Sequence, residues 1–479
     1  SSYSYRERVL NYVKIGLNGQ TFNVGGKDLT TQSDGTNSLE YLSLFLKLLV
    51  SLTRREYISP IVYIDEPEIG LHPKANEKLI YELYEAHESF KKTKEFFEKG
   101  KYATPLPKIF IATHSANITK FIIKYFKDNH QILHFRIEND HTRVGIMKST
   151  YEDRRFLNIF NDNEARLFFS DLILFVEGDT ELEAFSNFSL CKKYPHMNNV
   201  ELYQAGSNVY LENLNPNRAN LSIPYFYLFD RDKTLQYEIQ GRQCKVLLQG
   251  NGNLFSLKPE KLDSEIEFYN KGYSAEYRAQ VSILNGIKAS EGNLLSYNNK
   301  LLDFDNISKA YVDNLMSNID NYLLKKNVLI LNSTFEECLI SEASLPVFLQ
   351  WIHDYKGGDA DEILNFMGEL SYIDNNTLAT YLRLIFNGKA NIGIAYKALS
   401  KPSKDFNLAR RLLKIVERNI QNKTFFTHKT GGWVTSFLDF AMLQIENEAE
   451  KASVSFDTKF SLVFPEFYSI LDMLRLDRG

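Results

Sequence analysis

Short apolar runs that stop abruptly at acidic residues punctuate this chain, and helical periodicity fills the spaces between them. Residues 11–30 alternate in polarity and carry Asn18-Gly19 and Gly25-Gly26, the pattern of short strands joined by tight turns. Leu39, Leu42, Leu46 and Leu49 then follow helical spacing, with Ser33, Asp34 and Gly35 at the start of that helix. Ile61–Ile64 and Ile109–Thr113 are continuous apolar runs, the signature of strands covered on both faces. Residues 74–107 between them predict a charged helix whose last part is a solvated loop. Further strands are predicted within 171–178, 200–208, 223–232 and 325–332, each near a helical stretch. Residues 260–325 are polar and helical, and the chain beyond about 345 is largely helical, as in "LARRLLKIVERNIQ". Strands alternating with helices in this way predict an α/β architecture.

The chain has 479 residues, enough for two or three domains. It shows no internal repeat, and its weak boundaries fall near 150–165 and 345. A net charge of -4 rules out global basic character, so any nucleic-acid binding must come from local Lys and Arg patches. Cys191, Cys244 and Cys338 form no CxxC pair, which argues against a zinc site or a disulfide framework and suggests a reducing, cytoplasmic setting. No apolar run reaches the roughly 18 residues of a spanning helix.

Two constellations carry chemistry. In "IVYIDEPEIGLHP" a buried strand ends on Asp65 and Glu66, where Asp65 would order a magnesium shell and Glu66 would activate a water. His114 follows the second strand in "IFIATHS", in reach of a phosphate. Ser33 and Gly35 offer a hydroxyl, backbone N–H groups and a helix N-terminus. Each of these alone is more often a cap or a structural residue. In the order SDG, DE, His they resemble the second half of an ABC-type ATPase. That resemblance implies a signature motif at Ser33–Gly35, a Walker B pair at Asp65 and Glu66, a switch histidine at His114, ATP with Mg2+ as ligand, and a dimer. A G-x-x-x-x-G-K-[ST] loop does not occur in the sequence; "VGGKDLT" has Thr21 and Asp28 at two required positions. Such a loop is expected upstream of Ser1.

The second constellation starts in "LILFVEGDTELEAF". Glu177 ends a strand, and Glu181, four residues on, can face the same cavity. In "YFYLFDRD", Asp230 and Asp232 are two apart past another buried strand and so point the same way in extended backbone. In "KKNVLILNSTFEECLI" a strand, a polar turn and a helix bring Glu336, with Glu337 as its neighbour. Helix-terminal acids of this kind often only complement the macrodipole. The Glu … DxD pattern, 53 residues apart, resembles a TOPRIM domain, and Glu336 matches the third acidic motif of its nuclease branch.

An ABC-type half followed by TOPRIM resembles the OLD (overcoming lysogenisation defect) endonucleases. The organisation expected is a partial ATPase domain over 1–160, a TOPRIM (Rossmann-like) domain over 165–345 with a helical insertion at about 235–325, and a helical C-terminal region over 346–479. The resemblance implies metal-dependent DNA nicking or cleavage with Mg2+ or Mn2+ in a two-metal site held by Glu177, Glu181, Asp230, Asp232 and Glu336. Lys389 is an auxiliary candidate. It also implies a homodimer or higher oligomer, DNA as partner, and a role in bacterial anti-phage defence, with a retron reverse transcriptase and its RNA–DNA hybrid as one such partner. Two other readings stay open: a non-cutting, ATP-dependent DNA clamp or sensor, and a topoisomerase- or primase-type enzyme.

Overall fold

The structure is a computed structural model. It describes residues 23–24, 27–28, 44–45, 61–97, 107–138, 140–152, 154–205, 213–230, 235–240, 243–248, 302–303, 309–332, 334–354, 375–386 and 433–475, with short pieces of 266–285 and 364–368. The expected helix at 39–49, apart from Leu44 and Phe45, and the segment 408–421 lie outside the described residues, as do Ser33, Gly35, Asp232 and Lys389. The chain divides into two compact units, Ser1–Ser170 with Asn213–Ser222, and Asp171–Glu212 with Ile223–Gly479.

In the first unit, Asn23–Val24 and Lys27–Asp28 pair antiparallel around Gly25-Gly26. Strand β1 (Ile61–Asp65) runs parallel to β2 (Lys108–Ala112), with Asp65 opposite Ala112. Helix α1 (Pro73–Phe97) joins them, starting on a proline whose missing N–H costs nothing in the first turn. Helix α2 (Ala116–Phe126) follows β2 and is capped by Ser115, whose hydroxyl accepts the Ile118 N–H. Val62 and Ile64 pack with Leu79, Ile80, Leu83, Ile118 and Phe121. The expectation of strands covered on both faces is met on one face only among the described residues, since Ile61, Tyr63 and Phe110 are exposed.

A hairpin not anticipated above follows, β3 (Ile132–Glu138) with β4 (His141–Met147). Its signal was the alternation of Leu133, Phe135 and Ile137. Residues 213–222 return to this hairpin: Lys148 N–H donates to the Ala219 carbonyl at 2.8 Å, and Asn220 Nδ2 to the Ile146 carbonyl at 2.9 Å.

The second unit is built on a four-stranded parallel sheet. Its strands are β5 (Leu172–Val176), β6 (Val200–Gln204), β7 (Tyr225–Phe229) and β8 (Val328–Ile330), in the order β8-β7-β5-β6. Every residue of β5 is buried, which explains its unbroken apolar run. The chain leaves β5 for one neighbour, β6, and returns to the other side as β7. Strand order therefore reverses between β5 and β7, the place where open parallel sheets collect ligands beyond their C-terminal ends.

Helices α3 (Asp179–Phe185) and α4 (Phe188–Lys193) follow β5. Helix α5 (Lys309–Leu324) precedes β8, and α6 (Phe335–Leu339) and α7 (Leu345–Asp354) follow it. Helix α8 (Asn375–Phe386) comes next, and the chain closes with α9 (Trp433–Ala452), α10 (Phe456–Val463) and α11 (Pro465–Met473). The C-terminal helices share one core with the sheet, from Leu174 and Leu228 to Phe348, Trp433, Phe437 and Phe467. Polar ties reinforce it. Asp439 of α9 accepts from Asn187 Nδ2 and Ser189 Oγ at 3.1 and 2.6 Å, and Glu183 of α3 accepts the Thr435 N–H and hydroxyl at 3.0 and 2.8 Å. The fold is thus mixed α/β with parallel sheets and a helical C-terminal region.

Phe437 is fully buried and its ring lies 4.8 Å from Phe348, 5.6 Å from Trp351 and 6.0 Å from Phe464. Phe437→Ala is expected to destabilise the second unit by about 3–5 kcal/mol, read by denaturant unfolding. A loss below about 1 kcal/mol would show that the C-terminal helices are not integral to the sheet's core.

Candidate carboxylate and nucleotide sites

In the second unit the register sets the site. Phe175 of β5 lies beside Tyr227 of β7, so two residues further on Glu177 falls beside Phe229, and Asp230 comes one step later. Both acids emerge at the same sheet edge because parallel strands end together. Strand β8 extends this edge, with Leu331 N–H donating to the Phe229 carbonyl at 3.0 Å. The chain then turns into α6, whose first N–H, that of Phe335, donates to Asp230 Oδ1 at 3.0 Å. Glu336 follows in that first turn, and Glu181 lies in the first turn of α3.

Three of these acids are almost wholly buried: Glu181 is 5% exposed, Glu336 6% and Asp230 8%. Burial pushes the Asp230 carboxyl up to about 8 from its usual 3.8, and the charges of Glu177, Glu181 and Glu336 push in the same direction. The Phe335 N–H opposes them by stabilising the carboxylate, but it does not win. The four sequence-predicted acids within the described residues are therefore one electrostatic group, contributed by two strand ends and two helix starts.

Packing distinguishes Glu336 from its neighbour Glu337. Glu337 Oε1 lies 3.4 Å from Arg383 Nη1 of α8, whereas Glu336 is the one whose charge reaches Asp230. One acid here escaped sequence reasoning. Glu466, second residue of α11, accepts the Asn332 N–H at 2.7 Å and bonds the buried Cys338 thiol. Burial pushes that thiol upward, and Glu466 adds to the effect.

Among the described residues, no three or more His, Cys, Asp or Glu side chains are arranged so that they could by themselves hold a metal ion. Magnesium asks for less than such a cage. It keeps several waters and takes one or two carboxylates together with substrate phosphate oxygens. A buried group of hard oxygen donors, one of which is pushed up by burial and by the charges of the others, fits a divalent cation on charge and donor chemistry.

In the first unit, β1 delivers Asp65 and Glu66 to its C-terminal end. Asp65 Oδ1 accepts the Tyr63 hydroxyl at 2.9 Å, and the Glu66 N–H donates to the Ala112 carbonyl at 2.9 Å. Glu66 has φ +41°, in the left-handed region that costs a residue with a Cβ about 1–2 kcal/mol. His114 Nε2 lies 3.6 Å from Glu66 Oε1, and the imidazole, 86% exposed, is open to a ligand. Glu68, also missed from sequence, binds the loop between them: its Oε1 accepts the Thr113 hydroxyl at 2.7 Å and the His114 N–H at 2.9 Å. The structure thus brings Glu66 and His114 together at one edge.

Comparison with known families finds a match in each unit. Residues 18–119 match a family model described as "AAA domain, putative AbiEii toxin, Type IV TA system". Residues 168–232 match the TOPRIM domain of proteins like the overcoming lysogenization defect protein. The chain accordingly carries an ATPase domain followed by an OLD-like TOPRIM domain. That domain order is the one of the OLD-family ATPase–TOPRIM nucleases, and the chain matches them in it.

The raised Asp230 sets a pH test. Between about 3.8 and 8 the folded, metal-free protein keeps a proton there that the unfolded chain has lost, so this site subtracts stability as pH rises through that window and subtracts most above 8. Asp230→Asn is expected to gain little at pH 4.5 and about 1–3 kcal/mol at pH 9, by denaturant unfolding in chelator. Equal effects at the two pH values would contradict the assigned burial.

Proposed function

We propose that the chain is a metal-dependent DNA endonuclease controlled by its ATPase domain. One observation carries the reading: Asp230 lies in the combined field of Glu177, Glu181 and Glu336 at the edge where strand order reverses, within the segment matched to an OLD-like TOPRIM domain. Divalent Mg2+ or Mn2+, when bound, would polarise the scissile phosphate and lower the pKa of an attacking water. Glu177, Glu181, Asp230, Asp232 and Glu336 are the residues that would hold it. The Phe335 N–H keeps Asp230 aimed across the sheet edge, and burial by α3 and α6 keeps bulk water from screening the charges. The substrate would be DNA held by local Lys and Arg patches, since the chain as a whole is acidic. Among the described residues no helix is long and apolar enough to cross a membrane.

In the ATPase domain Asp65 would order Mg2+ of ATP, Glu66 would orient water and His114 would sense the γ-phosphate, with Ser33 and Gly35 acting on nucleotide held by a second copy. The domain would serve as dimeriser and gate. A defence role, with a retron-type or other partner, is the biological setting this activity suits.

A plasmid-relaxation assay tests the nuclease. The full chain is expected to nick or cut DNA with Mg2+ or Mn2+, and the double variant Asp230→Ala, Asp232→Ala to lose at least about a hundredfold in rate. Cutting at the wild-type rate by that variant would sink the metal assignment. For the gate, Glu66→Ala or His114→Ala is expected to change the response of cutting to ATP at least several-fold while Mn2+ binding is retained. An unaltered ATP response would count against the nucleotide reading.

A further inference from the structure

We infer that Glu466, on the C-terminal helix α11, is a positioning residue for the carboxylate site, an inference that rests on the metal-binding reading above. Its carboxylate accepts the Asn332 N–H at 2.7 Å, across 134 residues of sequence. Asn332 opens the turn from β8 to α6. The same turn ends at Phe335, whose N–H fixes Asp230 Oδ1 at 3.0 Å, and Glu336 is the next residue. On the far side of α6, Glu466 bonds the Cys338 thiol, so both ends of the segment 332–338 are held by one side chain.

Three aromatic contacts fix the helices that carry these acids. Phe185 of α3, Phe335 of α6 and Phe467 of α11 have ring centroids 5.5, 5.2 and 5.6 Å apart, pair by pair. Phe335 adjoins Glu336, Phe467 adjoins Glu466, and Phe185 is one helical turn from Glu181. Glu466 sits in the first turn of α11 with Pro465 before it, where the helix N-terminus favours an acceptor. Burial pushes its own carboxyl upward, while the Asn332 and Cys338 hydrogen bonds pull the other way. Glu466 therefore acts through the backbone that presents Asp230 and Glu336, as partners behind metal ligands do.

The test is direct Mn2+ titration of the full chain, by the loss of the free-ion paramagnetic resonance signal, alongside circular dichroism and DNA cutting. Glu466→Ala and Glu466→Asp, which remove or shorten the acceptor, are expected to weaken Mn2+ binding roughly tenfold or more. Glu466→Gln keeps an amide oxygen at the same reach and is expected to stay within about threefold of wild type. Should the alanine variant fail to fold, the aspartate variant carries the comparison. Wild-type affinity in the folded Ala or Asp variant would overturn the positioning role alone, as would a Gln variant as weak as Ala. If the wild-type chain takes up no Mn2+, or takes it up equally after Asp230→Asn, the carboxylate-site reading itself falls and this inference with it.

Discussion

Mutual repulsion among buried carboxylates is the constraint around which the second unit is organised. Two strand ends and two helix starts bring Glu177, Glu181, Asp230 and Glu336 to one sheet edge, and the cost is visible in Asp230, driven up to about 8. A chain selected for stability alone would place an apolar residue or an arginine there, because a buried like-charge group takes free energy away from folding. The arrangement makes physical sense when the group's task is to meet a divalent cation, whose attraction to each carboxylate offsets their mutual repulsion.

Holding charges that repel one another requires a scaffold that does not yield. The parallel sheet supplies its rigid half, with β5 buried along its whole length and Phe175 stacked on Tyr227 at 4.7 Å. The helices supply the other half through Phe185, Phe335 and Phe467. Close-packed rings of this kind resist the small displacements by which carboxylates would otherwise relax apart. This gives the C-terminal region a definite mechanical role. Helices α9 and α11 close the same core that β5 and β7 begin, so residues far along the chain share in presenting acids that lie near its middle.

Much of this site was legible in the sequence, because an apolar run ending on an acid is a local signal and parallel strands deliver such ends to a common edge. Glu177 and Asp230 were proposed in that way, and the structure adds the register that brings both to one sheet edge, one step apart. Glu336 was preferred to Glu337 on motif match alone; Arg383, on a helix more than forty residues away, takes up Glu337. Glu466 was invisible for the same reason carried further, since nothing in "FPEFYS" points to Asn332. The β3–β4 hairpin is different: its alternation was readable and was passed over. Asp232, Ser33, Gly35 and Lys389 lie outside the described residues, so their proposed roles still rest on motif spacing.

The two sites solve one geometric problem in opposite ways. Both begin with a parallel strand that ends on an acid, yet the ATPase edge leaves His114 86% exposed and Glu66 half-open, whereas the carboxylate edge hides three of its four acids. Exposure suits a site that exchanges its ligand and is completed by another surface. Burial suits one that must hold small cations firmly and admit only a phosphate from outside. Glu68 belongs to the first design, tying Thr113 and His114 to the β1 turn so that an exposed side chain keeps a fixed backbone. Glu466 belongs to the second, tying the main chain at Asn332 between β8 and α6. In each case a carboxylate outside the motif holds main chain next to the motif residues.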